Sequence, residues 1–228
     1  MTGVQTCALP ISILESRIST STLLIRCIKE SGVEIDTFIA ASATGYYGGY
    51  VSDELKTETS ENGKDFLAEV TREWEQSVAP VRLLVKRLVT FRIGVVLSHT
   101  GGALQKLALP IKFFVGSPVG TGSQIISWIH LEDLARVFRY AIDHESISGT
   151  FNAVAPLPVS NAELTKALAR NLNRPLLLPN VPAFMLRLIL GEMSEIVLLG
   201  CRVSCEKISK TGFEFRYPDI HSAVDSGN

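Results

Sequence analysis

The first candidate for chemistry is a serine that follows a short apolar run. Thr37 to Ala41 are typical of a buried strand, and Ser42 comes directly after them, at the carboxyl end of that strand. Parallel α/β proteins bind ligands beyond the carboxyl ends of their strands, so the Ser42 hydroxyl is placed to meet one. The alternative is a serine that caps a turn. Tyr46 and Tyr47 follow in the same loop, either beside a ligand or as packed aromatics.

Two further groups of residues suggest chemistry. His130 and Asp133 lie in the segment SWIHLEDL, and histidine is the commonest general base because its pKa lies near neutral pH. Cys201 and Cys205 are four residues apart and could share one helix face. A metal site needs more ligands than these two thiolates, and no His or Cys lies nearby in the sequence. We therefore predict ordinary packing for both cysteines, and no metal.

Helices and strands alternate along the chain, as in parallel α/β proteins. The predicted helices are Ile13–Glu30, a helix capped by Asp65 that runs through Val78, Gly101–Gly116, Leu131–His144, and a helix capped by Ser160 from Asn161 to Leu172. The predicted strands are Thr37–Ala41, Leu88–Leu97 (a strand together with its exit), Gln124–His130 and Gly149–Ala153. From about Ala155 the pattern becomes helical and rich in proline, which predicts a smaller region on the substrate side.

The composition is that of an ordinary globular protein. The 228 residues are 46% hydrophobic and 20% charged, with a net charge of −1 and no basic run, so a nucleic-acid partner is not expected. Val181 to Gly200 contain four residues that interrupt a membrane span, and we interpret this stretch as two amphipathic helices around Gly191. Four cysteines without paired spacing indicate reduced thiols in a cytoplasmic protein.

The first eleven residues differ in character from the rest. Residues 1–11 read MTGVQTCALPI, which resembles, codon for codon, the translation of a common sequencing-library adapter. A natural N-terminus or a weak signal peptide is the alternative, but the basic and long apolar regions of a signal peptide are missing. We therefore expect the native sequence to begin near Ser12 and to have lost a segment upstream.

From residue 13 onward the chain carries a series of characteristic blocks: ESRISTSTLL, SATGYYGG, FLAEVTREWE, RIGVVLSHTGGALQK, VGTGSQIISWIHLEDL, FNAVAP and GFEFRYP. In these blocks it resembles one branch of the extended short-chain dehydrogenases, the epimerase family proteins. The resemblance implies a Rossmann-like doubly wound parallel sheet that binds NADP(H), with NAD possible. Its glycine-rich turn and first strands would lie upstream. Residues 12–155 would then be part of the dinucleotide-binding domain, and residues 156–228 a family-specific C-terminal module.

The resemblance also assigns roles to individual residues. Ser42 matches a serine that hydrogen-bonds the reacting carbonyl or hydroxyl group, and Arg17 matches an arginine that contacts the dinucleotide. Val96 matches a cofactor contact beside the nicotinamide ring, while Tyr47 and Arg92 are implied on the substrate side. In related enzymes the segment of His130 mainly caps a helix and orders the substrate-side wall.

One departure concerns proton transfer. The superfamily uses Tyr-x-x-x-Lys, in which the lysine lowers the pKa of the phenol. No tyrosine in this chain has a lysine four residues later, and Leu67 and Thr71 stand at the matching positions. We expect neither to be catalytic.

Three hypotheses follow from this departure. The first is an NADP(H)-dependent oxidoreductase or epimerase-like enzyme that acts on an unknown small molecule. The second is a non-catalytic dinucleotide-binding or sensing protein, and the third a fragment without a function of its own.

Overall fold

A computed structural model describes residues 5–49, 54–190, 198 and 200–226. The chain begins with helix α1, Gln5–Ser31, which contains the predicted helix Ile13–Glu30. Gly32 follows with φ 63°, a left-handed conformation that suits glycine and ends the helix. Ile25 and Ile28 of α1 pack against a buried cluster that includes Ala40.

Three parallel strands form the central sheet, in the order β1–β3–β7. They are β1 Ile35–Ala43, β3 Val85–Ile93 and β7 Gly149–Ala153. Alternate residues face opposite sides, as the pleat of a strand requires. Ala40 and Leu88 pack towards α1 and helix α2, Phe66–Val78. Phe91 packs in the cluster of helix α4, Leu131–Asp143, on the other face. The predicted α/β architecture with a parallel sheet is therefore confirmed.

Two of the helices that flank the sheet, α2 and α4, begin where the sequence predicts. The Asp65 carboxylate caps α2 by accepting a hydrogen bond from the Ala68 amide at 2.9 Å. His130 caps α4, since its Nδ1 accepts the Glu132 amide hydrogen at 3.3 Å. A side chain that accepts from the free amides of the first turn stabilises a helix start.

Leu88–Leu97, predicted as a strand and its exit, contains parts of two strands, because the exit pairs as a second strand. β3 ends at Ile93, and β4, Val95–Ser98, pairs in parallel with β6, Trp128–His130, outside the central sheet. Gly94 lies between them, and a Cβ atom there would come 2.5 Å from the Ser127 carbonyl oxygen. The chain changes sheets at this glycine because only glycine allows so close an approach.

The predicted strand Gln124–His130 is divided in the same way. Its first part, β5 Ile125–Ile126, pairs antiparallel with β8 Val159–Ser160. Helix α3, Gly102–Lys112, also ends before the predicted Gly116. Phe114 there has φ 62°, which lies outside the right-handed helical region.

The C-terminal region is mostly helical, as predicted. Helix α5, Asn161–Asn171, begins with a capping box between Ser160 and Glu163. The remaining elements are α6 Ala183–Leu190, β9 Arg202–Val203, α7 Glu206–Ser209 and α8 Ile220–Asp225. β9 pairs in parallel with β2, Leu55–Lys56. Of the two helices expected around Gly191, α6 is the first, and the second lies outside the described residues.

Within the part of the chain that the structure describes, no helix has the length and apolar character needed to cross a membrane.

Candidate functional site

The candidate site starts from three polar residues that lie side by side across the central sheet. Ser42 on β1 pairs in register with Arg92 on β3, and Arg92 pairs with Asn152 on β7. Each lies one residue before the carboxyl end of its strand, and each is at most 5% exposed. Burying polar groups costs free energy unless they are hydrogen-bonded. A buried row of this kind therefore requires partners.

Glu75 of α2 is the partner of two of them. The Ser42 hydroxyl donates to Glu75 Oε1 at 2.6 Å. The Arg92 guanidinium donates to the same carboxylate with Nε at 2.8 Å and Nη2 at 2.9 Å. This is the two-pronged geometry in which arginine binds a carboxylate most strongly. The pair is largely withdrawn from solvent, with side chains 6% and 18% exposed.

Tyr47 links the arginine to the asparagine. Its hydroxyl donates to Asn152 Oδ1 at 2.6 Å and accepts from Arg92 Nη1 at 3.1 Å. Burial raises the pKa of Tyr47 to about 12, against the lowering effect of the nearby Arg92 charge. The phenol is therefore neutral at ordinary pH. The Tyr46 ring lies 3.3 Å from the Arg92 guanidinium carbon, a cation–π contact that covers the cation.

The turn that carries the two tyrosines is fixed from α2 and from the loop before it. The Asn62 side-chain amide donates to the Tyr46 carbonyl at 2.7 Å. Asp65, which caps α2, also accepts from the Gly49 amide at 2.6 Å. A Cβ atom at Gly63 would lie 2.6 Å from Gly48, so two glycine backbones meet there. The turn is held by contacts that involve main-chain atoms.

The C-terminal module packs against the site next to strand β7. Asn152 Nδ2 donates to the Ser204 carbonyl at 3.0 Å. The Ser127 hydroxyl donates to the Cys201 carbonyl at 2.8 Å and accepts from the Val203 amide at 3.0 Å. These contacts place β9 against the cluster of Tyr47.

Leu67 and Thr71 lie two helical turns and one helical turn, respectively, before Glu75 on α2. The Thr71 hydroxyl donates to the Leu67 carbonyl at 2.7 Å and is buried. Both side chains face Gly45, at 3.3 Å for Thr71 Oγ1 and 3.8 Å for Leu67 Cβ from an ideal Cβ position. Among the described residues neither side chain is hydrogen-bonded to Ser42 or to Arg92, whereas Glu75 of the same helix accepts the Ser42 hydroxyl hydrogen.

The structure brings Ser42, Tyr47 and Arg92 together, and places the other two predicted contacts elsewhere. Arg17 lies over the Trp74 ring, 4.8 Å from its centroid, in a cleft of about 330 Å³ between α1 and β1. Val96 lies half-buried on β4, in register with Ile129. The roles assigned to these five residues by resemblance stay predictions.

His130 and Asp133 have structural partners. His130 caps α4, and burial lowers its pKa. The fully buried Asp133 accepts the Arg216 amide at 2.9 Å and the Tyr217 amide at 2.8 Å, and so anchors the C-terminal segment to α4.

Cys201 and Cys205, the two cysteines of the C-terminal module, belong to no metal-binding cluster among the described residues. Cys201 is buried, which raises its pKa to about 11, and burial also raises the pKa of Cys205. The described residues contain no group of His, Cys, Asp and Glu that could hold a metal ion.

The sequence analysis missed Glu75 and Asn152. Glu75 lies eight residues after Leu67, hence on the same face of the predicted helix, and this spacing was the available signal. Asn152 stands between the buried apolar residues Phe151 and Ala153, where a buried amide requires a partner. Neither position identifies that partner, because Tyr47 lies 105 residues from Asn152.

A parallel sheet with helices on both faces and a polar row at the strand ends defines a Rossmann-like α/β protein. The chain is 38% identical over 211 residues to an epimerase family protein of Mycobacterium leprae (ML0860), covering 92% of this chain and 67% of that protein. The chain therefore belongs to the epimerase family proteins. Residues 181–226 match the family described as Domain of unknown function (DUF1731).

Two solved structures are similar. One is human epimerase family protein SDR39U1 (isoform 2) with NADPH, at 27% identity and TM-score 0.88, covering 96% of this chain and 74% of that one. The other is a nucleoside-diphosphate sugar epimerase from Corynebacterium glutamicum, at 38% identity and TM-score 0.76, covering 93% and 41%.

Proposed function

We propose that the protein is an NADP(H)-dependent oxidoreductase or epimerase-like enzyme of the extended short-chain dehydrogenase superfamily. The observation that carries the proposal is the buried row Ser42–Arg92–Asn152 at the carboxyl ends of three parallel strands, where such folds bind ligands. The similar human protein with NADPH supports this cofactor. NAD is the second choice, and the substrate is a small hydroxy or keto compound.

The residues around Arg17 fit the phosphate-bearing part of a dinucleotide. Arg17 is half-buried at the cleft beside β1, and its guanidinium lies against the Trp74 ring. Among the described residues no carboxylate pairs with this guanidinium, and a guanidinium suits a phosphate, which it can bind through two parallel hydrogen bonds. The hydroxyl-bearing Ser16 and Thr20 line the same cleft.

The other predicted contacts would lie at the reacting end of the cofactor and around the substrate. Ser42 would hydrogen-bond the reacting oxygen, and Val96 would lie beside the nicotinamide, which supplies a hydride acceptor or donor when bound. Tyr47 would lie on the substrate side. Arg92 would hold Glu75 and Tyr47 in place, since its guanidinium donates hydrogen bonds to both.

Substitution of Arg17 tests the cofactor assignment. Losing one charge-assisted hydrogen bond costs about 1.5–3 kcal/mol, so Arg17→Ala should weaken NADPH binding by the full-length protein at least about tenfold. The measurement is a fluorescence titration with NADPH. Arg26→Ala is the matched control on the same helix, because Arg26 is exposed and lies 3.9 Å from Glu30. If Arg17→Ala and Arg26→Ala bound NADPH with equal dissociation constants, Arg17 would not be part of the cofactor site.

The alternative is a dinucleotide-binding protein without catalysis, favoured by the lack of Tyr-x-x-x-Lys. A panel of alcohols and carbonyl compounds with NADP⁺ and NADPH separates the two. Cofactor binding without any turnover supports the alternative. Titration of residues 12–228 alone tests the further alternative of a fragment without function.

A further inference from the structure

The Ser42 hydroxyl has only one proton to give, and Glu75 takes it. A serine hydroxyl is one donor and two acceptor lone pairs. At 2.6 Å from Glu75 Oε1, the Ser42 proton is committed to the carboxylate. Towards a ligand Ser42 therefore offers lone pairs. The group that it recognises in this state is a donor, such as a substrate hydroxyl, and not a carbonyl oxygen.

We infer that Glu75 is the proton acceptor behind Ser42, which replaces the missing phenol of Tyr-x-x-x-Lys. The inference rests on the proposed function. A substrate hydroxyl gives its proton to Ser42 Oγ while the former proton of Ser42 passes to Glu75 Oε1. The substrate carbon loses its hydride to the oxidised nicotinamide, and a carbonyl bond forms. The products are a ketone or aldehyde, the reduced nicotinamide, neutral Ser42 and a neutral Glu75 carboxylic acid. Reduction runs the same steps in reverse.

Other groups near Ser42 are less suited to this step. Tyr47 already donates to Asn152, and burial raises its pKa to about 12, so it gives up its proton only in strong base. Thr71 donates to the Leu67 carbonyl. Leu67 is apolar. Among these residues, Glu75 combines a hydrogen bond to Ser42 with the capacity to bind a proton.

Arg92 fixes the carboxylate for this role. It binds both Glu75 oxygens, so the carboxylate cannot rotate away from Ser42. The Tyr46 ring on the guanidinium and the Tyr47 hydroxyl hold Arg92 in turn. Each position in the relay from Ser42 to Glu75 is thus set by packed neighbours, as efficient proton transfer requires.

The spectroscopic test looks for the shared proton directly in the full-length protein. A buried serine hydroxyl in a short hydrogen bond should give a slowly exchanging proton resonance in NMR. We expect the Ser42 resonance to disappear in Ser42→Ala, to shift or disappear in Glu75→Gln, and to remain in Thr71→Val. The Ser127 hydroxyl, bonded to the Cys201 carbonyl at 2.8 Å, is the internal reference. A Ser42 resonance unchanged in Glu75→Gln would overturn the inference.

The kinetic test uses the alcohols that the wild-type protein oxidises with NADP⁺. General acid–base groups contribute about 10²–10⁴ in rate, so Glu75→Gln should lower kcat at least about a hundredfold. Its dissociation constant for NADPH should change less than about twofold. Glu75→Asp should recover part of the loss, and Thr71→Val, a buried position one turn earlier, should stay within about twofold of wild type.

Ser42→Ala is the second variant, for the case that Glu75→Gln does not fold. It removes the relay but leaves the ion pair of Arg92 and Glu75 intact. In the double variant the two losses of kcat should not add, since both substitutions remove the same proton path. If Glu75→Gln bound NADPH and kept full turnover, the role of Glu75 would be refuted while the proposed function would stand. Absence of NADPH binding by the wild-type protein would instead refute the proposed function and, with it, the inference about Glu75.

Discussion

Tyr47 shows how burial decides what one side chain at this site can do. In the similar superfamily a tyrosine moves the proton, because a lysine lowers its pKa. Here the tyrosine has Arg92 beside it, yet burial dominates and its pKa is raised. The same phenol that could have been a base is a fixed neutral link between Arg92 and Asn152. This difference in environment motivates the assignment of proton transfer to Glu75.

The shifted pKa of Tyr47 predicts how stability depends on pH. An acid whose pKa is higher in the folded state than in the unfolded chain keeps its full stabilising effect below the unfolded value, here 10.0. That effect is lost as pH rises towards about 12. We expect the free energy of unfolding of wild type to fall by about 2–3 kcal/mol more than that of Tyr47→Phe between these pH values. Urea unfolding at several pH values measures this, and parallel curves would contradict it.

The residues of the site differ in how far the sequence predicts them. Ser42 follows an apolar run and precedes a glycine-rich turn, so local pattern and resemblance locate it. Glu75 is one of several glutamates on α2, and its helical spacing does not show that Arg92 and Ser42 meet it. Such pairings depend on the register of β1 against β3, which one sequence does not determine.

At the scale of elements, the first residues of helices were predicted more accurately than the points at which one strand ends and the next begins. Asp65, His130 and Ser160 cap their helices through local hydrogen bonds, which the sequence encodes within four residues. The break at Gly94 depends instead on the carbonyl of Ser127, which lies 33 residues away. A continuous β-branched run therefore predicted one strand where tertiary contacts make two.

Asp133 should control how firmly the C-terminal segment is attached to α4. Its carboxylate accepts two backbone amides of that segment and the Arg136 guanidinium, at 2.6 Å for the last. Asp133→Asn replaces one acceptor oxygen by a donor, so at least one amide loses its partner. We expect hydrogen exchange at the amides of Arg216 and Tyr217 to become at least about tenfold faster.

The exposed pair Arg139–Asp143 on the same helix provides the control for this experiment. Asp143 is 52% exposed and lies 3.3 Å from Arg139. Asp143→Asn should leave the exchange at Arg216 and Tyr217 as in wild type. Equal effects of both substitutions would mean that the charge of α4, and not the buried anchor, holds the segment.

At the scale of the whole molecule, the central sheet has an open side. Among the described residues β1 pairs with β3 alone. Leu14, Ile18 and Ile25 of the neighbouring helix α1 are half-buried, while Leu23 and Leu24 of the same helix are 51% and 46% exposed. An unpaired strand edge beside apolar side chains favours association between copies.

We therefore expect residues 12–228, expressed alone, to aggregate and to bind NADPH poorly. Size-exclusion chromatography and NADPH titration beside the full-length protein measure both. Leu23→Lys is the control: if it restores a monomer, the surface of α1 and not the edge of β1 drives association. A monomer of the unmodified fragment with micromolar NADPH affinity would contradict this expectation.

The bond between Asn152 and the Ser204 carbonyl has a consequence for the order of biosynthesis. The ribosome releases the chain from its amino end, so Ser42, Glu75 and Arg92 emerge long before residue 204. Until then Asn152 lacks the carbonyl that orients its amide, and Tyr47 has no fixed acceptor. Contacts between residues so distant in sequence form slowly, because much chain must be ordered first. The nascent protein should therefore hold a folded sheet before it holds a finished site, and complete the site only after Ser204 has been synthesised.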